Sequence, residues 1–430
     1  MKRSLALGLL LCSGLPTPGS ADEWNLVHTF RHQTGDQFGE SLAMSDDGAT
    51  VAIAAAMEDC AAGPDCGAVY VYDRGDRGWR KPTRLAASDQ AAGAGFGGWE
   101  YRDRTIALSA DGRTLAVSLR ANWNGPGTGA VYVFERTDDV WHETQKLTIP
   151  DNLLPGPLGS EFNSFGASLA LSGDAKTLVV GAPSEGLAEE QGGAVYVYRR
   201  QPDGWKSIAR LVGSRLLATT GPNRFGALGQ SVDITSDGRT IVAGSPGSPS
   251  DLRETYVFQW HDGSWVERDI IHSSNQVMAA GFGASVSLAG DGETLIVGAP
   301  GSASAYLYVL DAAGGDWRLQ AKLGSNITNA DRFGFSTAVD RRGKMALAGD
   351  WWIGSVFAFT RSDSGGVVTW PPVLVKKATS ILGSSVALSP DGRTALLGWY
   401  VEPDPPCARS DGSSGPCAVT YLMQRRQASR

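Results

Sequence analysis

A Phe-Gly pair, or a stand-in for it, recurs seven times along the chain, and a Trp closes each interval. The openers are Phe38, Phe96, Phe165, Phe225, Phe282, Phe333 and the degenerate Leu382. The Trp series is Trp24, Trp79, Trp141, Trp205, Trp265, Trp317 and Trp370. Repetition at about 50–70 residues implies a propeller or a solenoid, in which no unit can bury its apolar face alone. The first Trp precedes the first Phe-Gly. That offset is a circular permutation of the repeat, and it predicts a ring whose two ends meet.

Each unit reads as four short strands. In the first, strand A runs from Phe38 to Ser45, the turn Asp46-Asp47-Gly48 follows, and strand B is Thr50 to Ala56. Asp-Gly between alternating apolar runs is a strong hairpin signal. Strand C is Gly67 to Tyr72, and strand D is the Trp79 to Leu85 segment. The A–B turns recur at Asp111-Gly112, Gly173-Asp174, Asp237-Gly238, Asp291-Gly292, Arg342-Gly343 and Asp391-Gly392. No segment carries a long helical period, so the chain is all-β. The seventh unit lacks a strand D, while the segment from Trp24 to Phe30 has no unit of its own. Closure follows: the N-terminal strand completes the last blade and removes a pair of exposed edges. The expectation is one seven-bladed β-propeller over residues 22–426, with a short tail at 427–430.

Residues 1–21 read as a secretory signal. Lys2 and Arg3 precede the apolar run Leu5 to Leu11, and Gly19-Ser20-Ala21 offers a small-residue cleavage site. The run is too short to span a bilayer, and no later segment approaches that length. Cys12 raises a lipoprotein alternative, although Leu11 is larger than the residue such sites use. Removing the leader leaves two close pairs, Cys60/Cys66 and Cys407/Cys417, which fit local disulfides in an oxidising compartment. Charged residues make up only 19% and the net charge is −7, without basic clustering, which argues against a nucleic-acid partner. A monomer is expected.

The segment from Phe282-Gly283 through SVSLAGDGETLIV to Gly298-Ala299-Pro300 resembles an FG-GAP repeat. Phe165-Gly166 to Gly181-Ala182-Pro183 repeats it, and Phe225-Gly226 to Gly244-Ser245-Pro246 is a near match. The resemblance covers nearly all of the chain after the leader. It implies the seven-bladed propeller of integrin α chains and many secreted bacterial proteins. In integrin-type blades the A–B hairpin often holds Ca²⁺ in an elongated Asp/Asn-rich loop. Here those turns are short and lack the six to eight oxygens a calcium site uses. No cofactor and no metal site is expected.

Function is sought where the repeat breaks. A–B and C–D turns share one face, built of short repetitive turns that read as structural. B–C and D–A loops share the other, and variable loops on a rigid scaffold are where binding usually resides. Units three to five keep Gly-Ala-Pro or Gly-Ser-Pro after strand B. Unit two has Arg120 and Trp123 there, unit six Asp350, Trp351 and Trp352, and unit seven Trp399, Tyr400 and Glu402. Unit two also carries Trp99, Tyr101 and Arg102 after its Phe-Gly. In a closed ring, blades six, seven, one and two are consecutive, so these residues gather on one sector. They form a candidate platform for a glycan or a protein partner, since flat aromatic rings stack on sugars and apolar surfaces. The opposing possibility is bulk that only fills loop packing near the closure. The periodic Trp residues are read as blade packing. Glu185, Glu189 and Glu190 are read as a solvated acidic loop, Asp36 and Asp331 as turn caps, and His28 and His32 as surface residues.

No catalytic motif stands out. The preferred reading is a secreted or periplasmic binding module without chemistry of its own. The alternatives are a polysaccharide-acting enzyme (lyase or glycosidase type) with a site over the central channel, and a structural cell-surface protein.

Overall fold

The computed structural model describes residues 23–426 except 34, 99–103, 120–128, 151–163, 186–191, 218–226, 248–252, 274–279, 312–314, 325–331, 379–380 and 409–413. Seven antiparallel sheets in the A-B-C-D order make the blades, six of four strands and that of blade 1 with its strand D split into Gly78–Trp79 and Thr83–Leu85. Their A strands contact one another in sequence and the last contacts the first, so the A strands ring the centre. The fold is an all-β, seven-bladed β-propeller. Its described helical structure is limited to one turn, Ser214–Leu217, and a short 3₁₀ turn at Pro300–Ser302.

The predicted closure is present. Trp24–Gln33 pairs antiparallel with Ser414–Arg425 and supplies strand D of blade 7, with Trp24 opposite Arg425 and Gln33 opposite Cys417. Phe30, 1% exposed, leads from this strand into a core shared with Phe38, Ile53 and Tyr72 of blade 1.

The repeat motif has a physical basis at each blade seam. The described Phe residues of the Phe-Gly series are fully buried. Phe96, Phe165 and Phe282 meet Tyr132, Tyr196 and Tyr306 of strand C edge-on, at 5.6, 5.5 and 5.6 Å. The following Gly carbonyl accepts a hydrogen bond from a strand-A Ser of the preceding blade. Ser285 Oγ donates to Gly334 O (3.0 Å) and Ser385 Oγ to Gly39 O (2.6 Å). In blade 4 the acceptor for Ser168 Oγ is Gly229 O (2.9 Å), so the buried Leu228 with Gly229 takes the place expected of Phe225-Gly226, which lies outside the described residues. The same carbonyl explains the Gly of Gly-Ala-Pro. A Cβ at Gly298 would lie 2.0 Å from Gly334 O, and one at Gly398 would lie 2.1 Å from Gly39 O.

Trp24, Trp141, Trp205 and Trp370 are each less than a tenth exposed, and Trp79, Trp265 and Trp317 pack against the cores as half-buried residues. Trp141 lies in the core shared by blades 1 and 2, and Trp205 in that of blades 2 and 3. These rings fill the seams.

On the A–B face a belt of backbone hydrogen bonds joins successive turns. Asp46 N donates to Ala110 O, Ala110 N to Gly173 O, Gly173 N to Ser236 O and Ser236 N to Gly290 O. Asp291 N then donates to Arg341 O, and Arg341 N to Pro390 O. Among the described backbone bonds none continues the belt from blade 7 to blade 1, where Pro390 has no N–H to donate. The Arg341 guanidinium of blade 6 reaches the Asp46 carboxylate of blade 1. The turn carboxylates are occupied locally: Asp111 Oδ1 accepts from Ser109 Oγ (2.6 Å) and Arg113 N (3.0 Å), and Asp237 Oδ1 from Thr235 Oγ1 (2.6 Å) and Arg239 N (3.0 Å). They cap hairpins.

Candidate functional site

The B–C loop of blade 6 carries the aromatic feature most fully described. Strand B, Met345–Asp350, ends on a fully buried Asp350 whose Oδ1 accepts from Trp352 N (3.2 Å) and Ile353 N (3.4 Å). That cap turns the chain sharply and sets two adjacent indoles. Trp351 meets Phe335 edge-on at 6.0 Å and Trp352 at 5.7 Å. Trp352 is 57% exposed. An inner aromatic anchor thus holds an outer indole in solvent.

Blade 7 differs from the expected loop. Its strand B runs from Thr394 to Ala408 and pairs along most of that length with strand C, so the hairpin extends beyond the blade. The disulfide Cys407–Cys417 joins its two strands, with Cα atoms 5.2 Å apart, and Cys60–Cys66 closes the neighbouring loop of blade 1 at 5.8 Å. Trp399 and Tyr400 lie in the strand, beside a register shift between Leu397 and Tyr400; their side chains are outside the described set. Glu402 is a tether: it meets Arg31 Nη1 at 2.7 Å and accepts from the Tyr421 hydroxyl. Trp99, Tyr101, Arg102, Arg120 and Trp123 fall outside the described residues, as do Glu189, Glu190 and Asp331.

The Glu402 arrangement is one of a family that the linear sequence did not disclose. Glu58 accepts from Tyr70 Oη and from Arg84 Nε, both at 2.6 Å. Glu254 accepts from Tyr256 Oη at 2.5 Å, with Arg215 at 3.1 Å and His272 at 3.3 Å. Glu185 meets Arg210 Nε at 2.7 Å beside Tyr196. Glu185 is 1% exposed, which corrects its reading as a solvated loop residue. Burial and the neighbouring carboxylates push the Tyr70, Tyr196 and Tyr256 hydroxyls well above the usual tyrosine range, so they remain donors. The strand-C Tyr is the signal that could have located these acids.

Blade 1 adds an imidazole to its tether. His32 Nδ1 lies 3.0 Å from Asp36 Oδ2, and His32 Nε2 lies 3.5 Å from Glu58 Oε2. His32 stacks on Phe38 at 5.2 Å, and its side chain is 15% exposed, so it is not the surface residue expected. One ligand atom from each of His32, Asp36 and Glu58 falls within 4.8 Å of the others. A divalent cation would have to compete with the Arg84 guanidinium already on Glu58.

In the central channel, Arg104 reaches across from blade 2. Its Nη1 lies 3.1 Å from Asp233 Oδ2 of blade 4, and its Nη2 donates to Thr337 O of blade 6 at 3.2 Å. Asp233 Oδ2 also accepts from Leu288 N. Asp233 is committed to this bridge.

These features define a repeat-built β-propeller with short turns on one face and aromatic, disulfide-tied loops on the other. The FG-GAP repeat family model matches residues 32–72 and 141–198. These matches, together with the seven-bladed ring, support an FG-GAP-type β-propeller. No curated protein matches its sequence. Among solved structures it is similar to Kuenenia stuttgartiensis hydrazine synthase (17% identity, TM-score 0.54, covering 85% of this chain and 94% of that one). It is also similar to the Pseudomonas aeruginosa periplasmic gluconolactonase (17%, 0.53, 81% and 87%). The Myceliophteria thermophila Cps50 (Swd1) propeller domain aligns at 9% identity with TM-score 0.55, covering 94% and 100%. At these identities the likeness is one of fold. No helix among the described residues is long and apolar enough to cross a membrane.

Proposed function

We propose that this propeller is a secreted or periplasmic binding module that presents the B–C/D–A loop face of blades 6, 7, 1 and 2 to a glycan or protein partner. The observation that carries the reading is Trp352, an indole 57% exposed yet fixed by the buried Asp350 cap and by Trp351. An aromatic side chain held rigidly in solvent loses little conformational entropy on binding and offers a flat apolar face. The two disulfides beside it stiffen the same sector and suit an oxidising compartment.

The test is a glycan array and a partner screen with the chain lacking its leader, repeated with Trp352→Ala. Binding is expected to weaken about tenfold or more, the scale of losing an aromatic hot spot. Unchanged binding in the variant overturns the reading. An enzyme acting on polysaccharide is the second reading, and it draws on His32 held between Asp36 and Glu58. Turnover that disappears in His32→Gln would favour it.

A further inference from the structure

On the opposite face, a groove of about 1010 Å³ runs along the seam where the ring closes. Its lining includes Arg74 and Arg77 of the blade 1 C–D hairpin, Arg393 of the blade 7 A–B turn, and Arg425 and Arg426 at the end of strand C of blade 7. A concentration of guanidinium groups is unexpected in a chain of net charge −7.

The repeat itself shows why the Arg74 charge is left over here. Three positions are equivalent by register, each opposite the Thr that begins strand B: Asp73 opposite Thr50, Glu135 opposite Thr114 and Gln424 opposite Thr394. At two successive seams this acid receives the strand-C Arg of the following blade. Arg136 Nη1 meets Asp73 Oδ1 at 2.8 Å, and Arg200 Nη2 meets Glu135 Oε2 at 2.6 Å. Arg74 is the matching residue of blade 1, and the blade before it in the ring is blade 7. The acid is there replaced by the neutral Gln424. The two acids of the groove are engaged locally. Asp47 accepts from Ser45 Oγ (2.6 Å) and Ala49 N (2.9 Å), and Asp391 from Ser389 Oγ (2.6 Å) and Arg393 N (2.9 Å), while its other oxygen lies 3.9 Å from Arg393 Nε in a loose, exposed pair. Glu23 meets Arg426 at 3.0 Å in an exposed pair, which contributes little.

We propose that this groove is a binding site for a multiply charged oxyanion, with phosphate or sulfate groups carried on a small molecule or short oligomer. Guanidinium groups engage such groups bidentately, and several forks on three separate elements favour a ligand with more than one anionic group. The site lies on the face away from Trp352 and is independent of the aromatic platform.

The test is isothermal titration of the chain lacking its leader with inorganic tripolyphosphate and, separately, with a sulfated oligosaccharide. At least one is expected to bind at low salt and to weaken as salt rises. Whichever binds identifies the source of the oxyanion. Gln424→Glu restores the acid that blades 1 and 2 carry, so the variant should keep or raise the thermal midpoint while losing at least tenfold in affinity. Arg74→Gln should lose affinity similarly. The proposal is overturned if neither probe binds the unmodified chain, or if a probe binds both variants as tightly as that chain.

Discussion

Gly298 shows how little freedom the repeat leaves a single residue. Its absent Cβ would lie 2.0 Å from the Gly334 carbonyl and 2.2 Å from Ser285 Oγ, and that carbonyl also accepts from Ser285. Gly298→Ala must push two blades apart, because the nearest obstacle is backbone. The expected loss is about 3 kcal/mol, at the upper end for overpacking, read as a lowered urea midpoint with little change in slope. This glycine is conspicuous in the sequence because it recurs. Glu185 and His32 were not legible in the same way. Nothing in the linear neighbourhood of Glu185 announces that Arg210, 25 positions away, will cover it. His32, too, becomes a half-buried partner of Glu58 only because the closing strand is laid beside blade 1.

Among the elements, the strand Trp24–Gln33 joins the two ends of the chain. Its Phe30 ties blade 7 to blade 1, so removing that ring should weaken the whole molecule and not only fray a terminus. Phe30→Ala is expected to cost about 3–5 kcal/mol. Circular dichroism and tryptophan fluorescence should report the same lowered midpoint; a separate early transition limited to the N-terminal strand would contradict shared closure. This element was readable, since Trp24 stands one strand, about a quarter-repeat, ahead of the first Phe-Gly. The long B–C hairpin of blade 7 was not. The stretch from Val401 to Cys407 holds three prolines, which usually mark the end of a strand. Pairing with Ser414–Arg425 and the Cys407–Cys417 link override that local preference.

For the whole molecule, the ring is held at three radii: by Phe and Trp in the seams, by the belt of backbone bonds on the A–B face, and by Arg104 across the channel. Arg104→Met would leave Asp233 in the channel without its counter-charge. A loss of about 2 kcal/mol is expected, the scale of a hydrogen bond to a charged group. Asp233→Asn in the same chain should recover part of it, and a double-mutant cycle in urea checks the coupling. Composition, hairpin chemistry and the offset of the Trp series were enough to determine an all-β ring of seven blades and its closure, because a repeat must satisfy the same local rules every time. Which side chains meet across the ring was decided only by the tertiary structure. Arg104 with Asp233 and His32 with Glu58 are contacts between residues far apart in the chain, and only the closing of the ring brings them within reach and sets Arg74 and Gln424 along one groove.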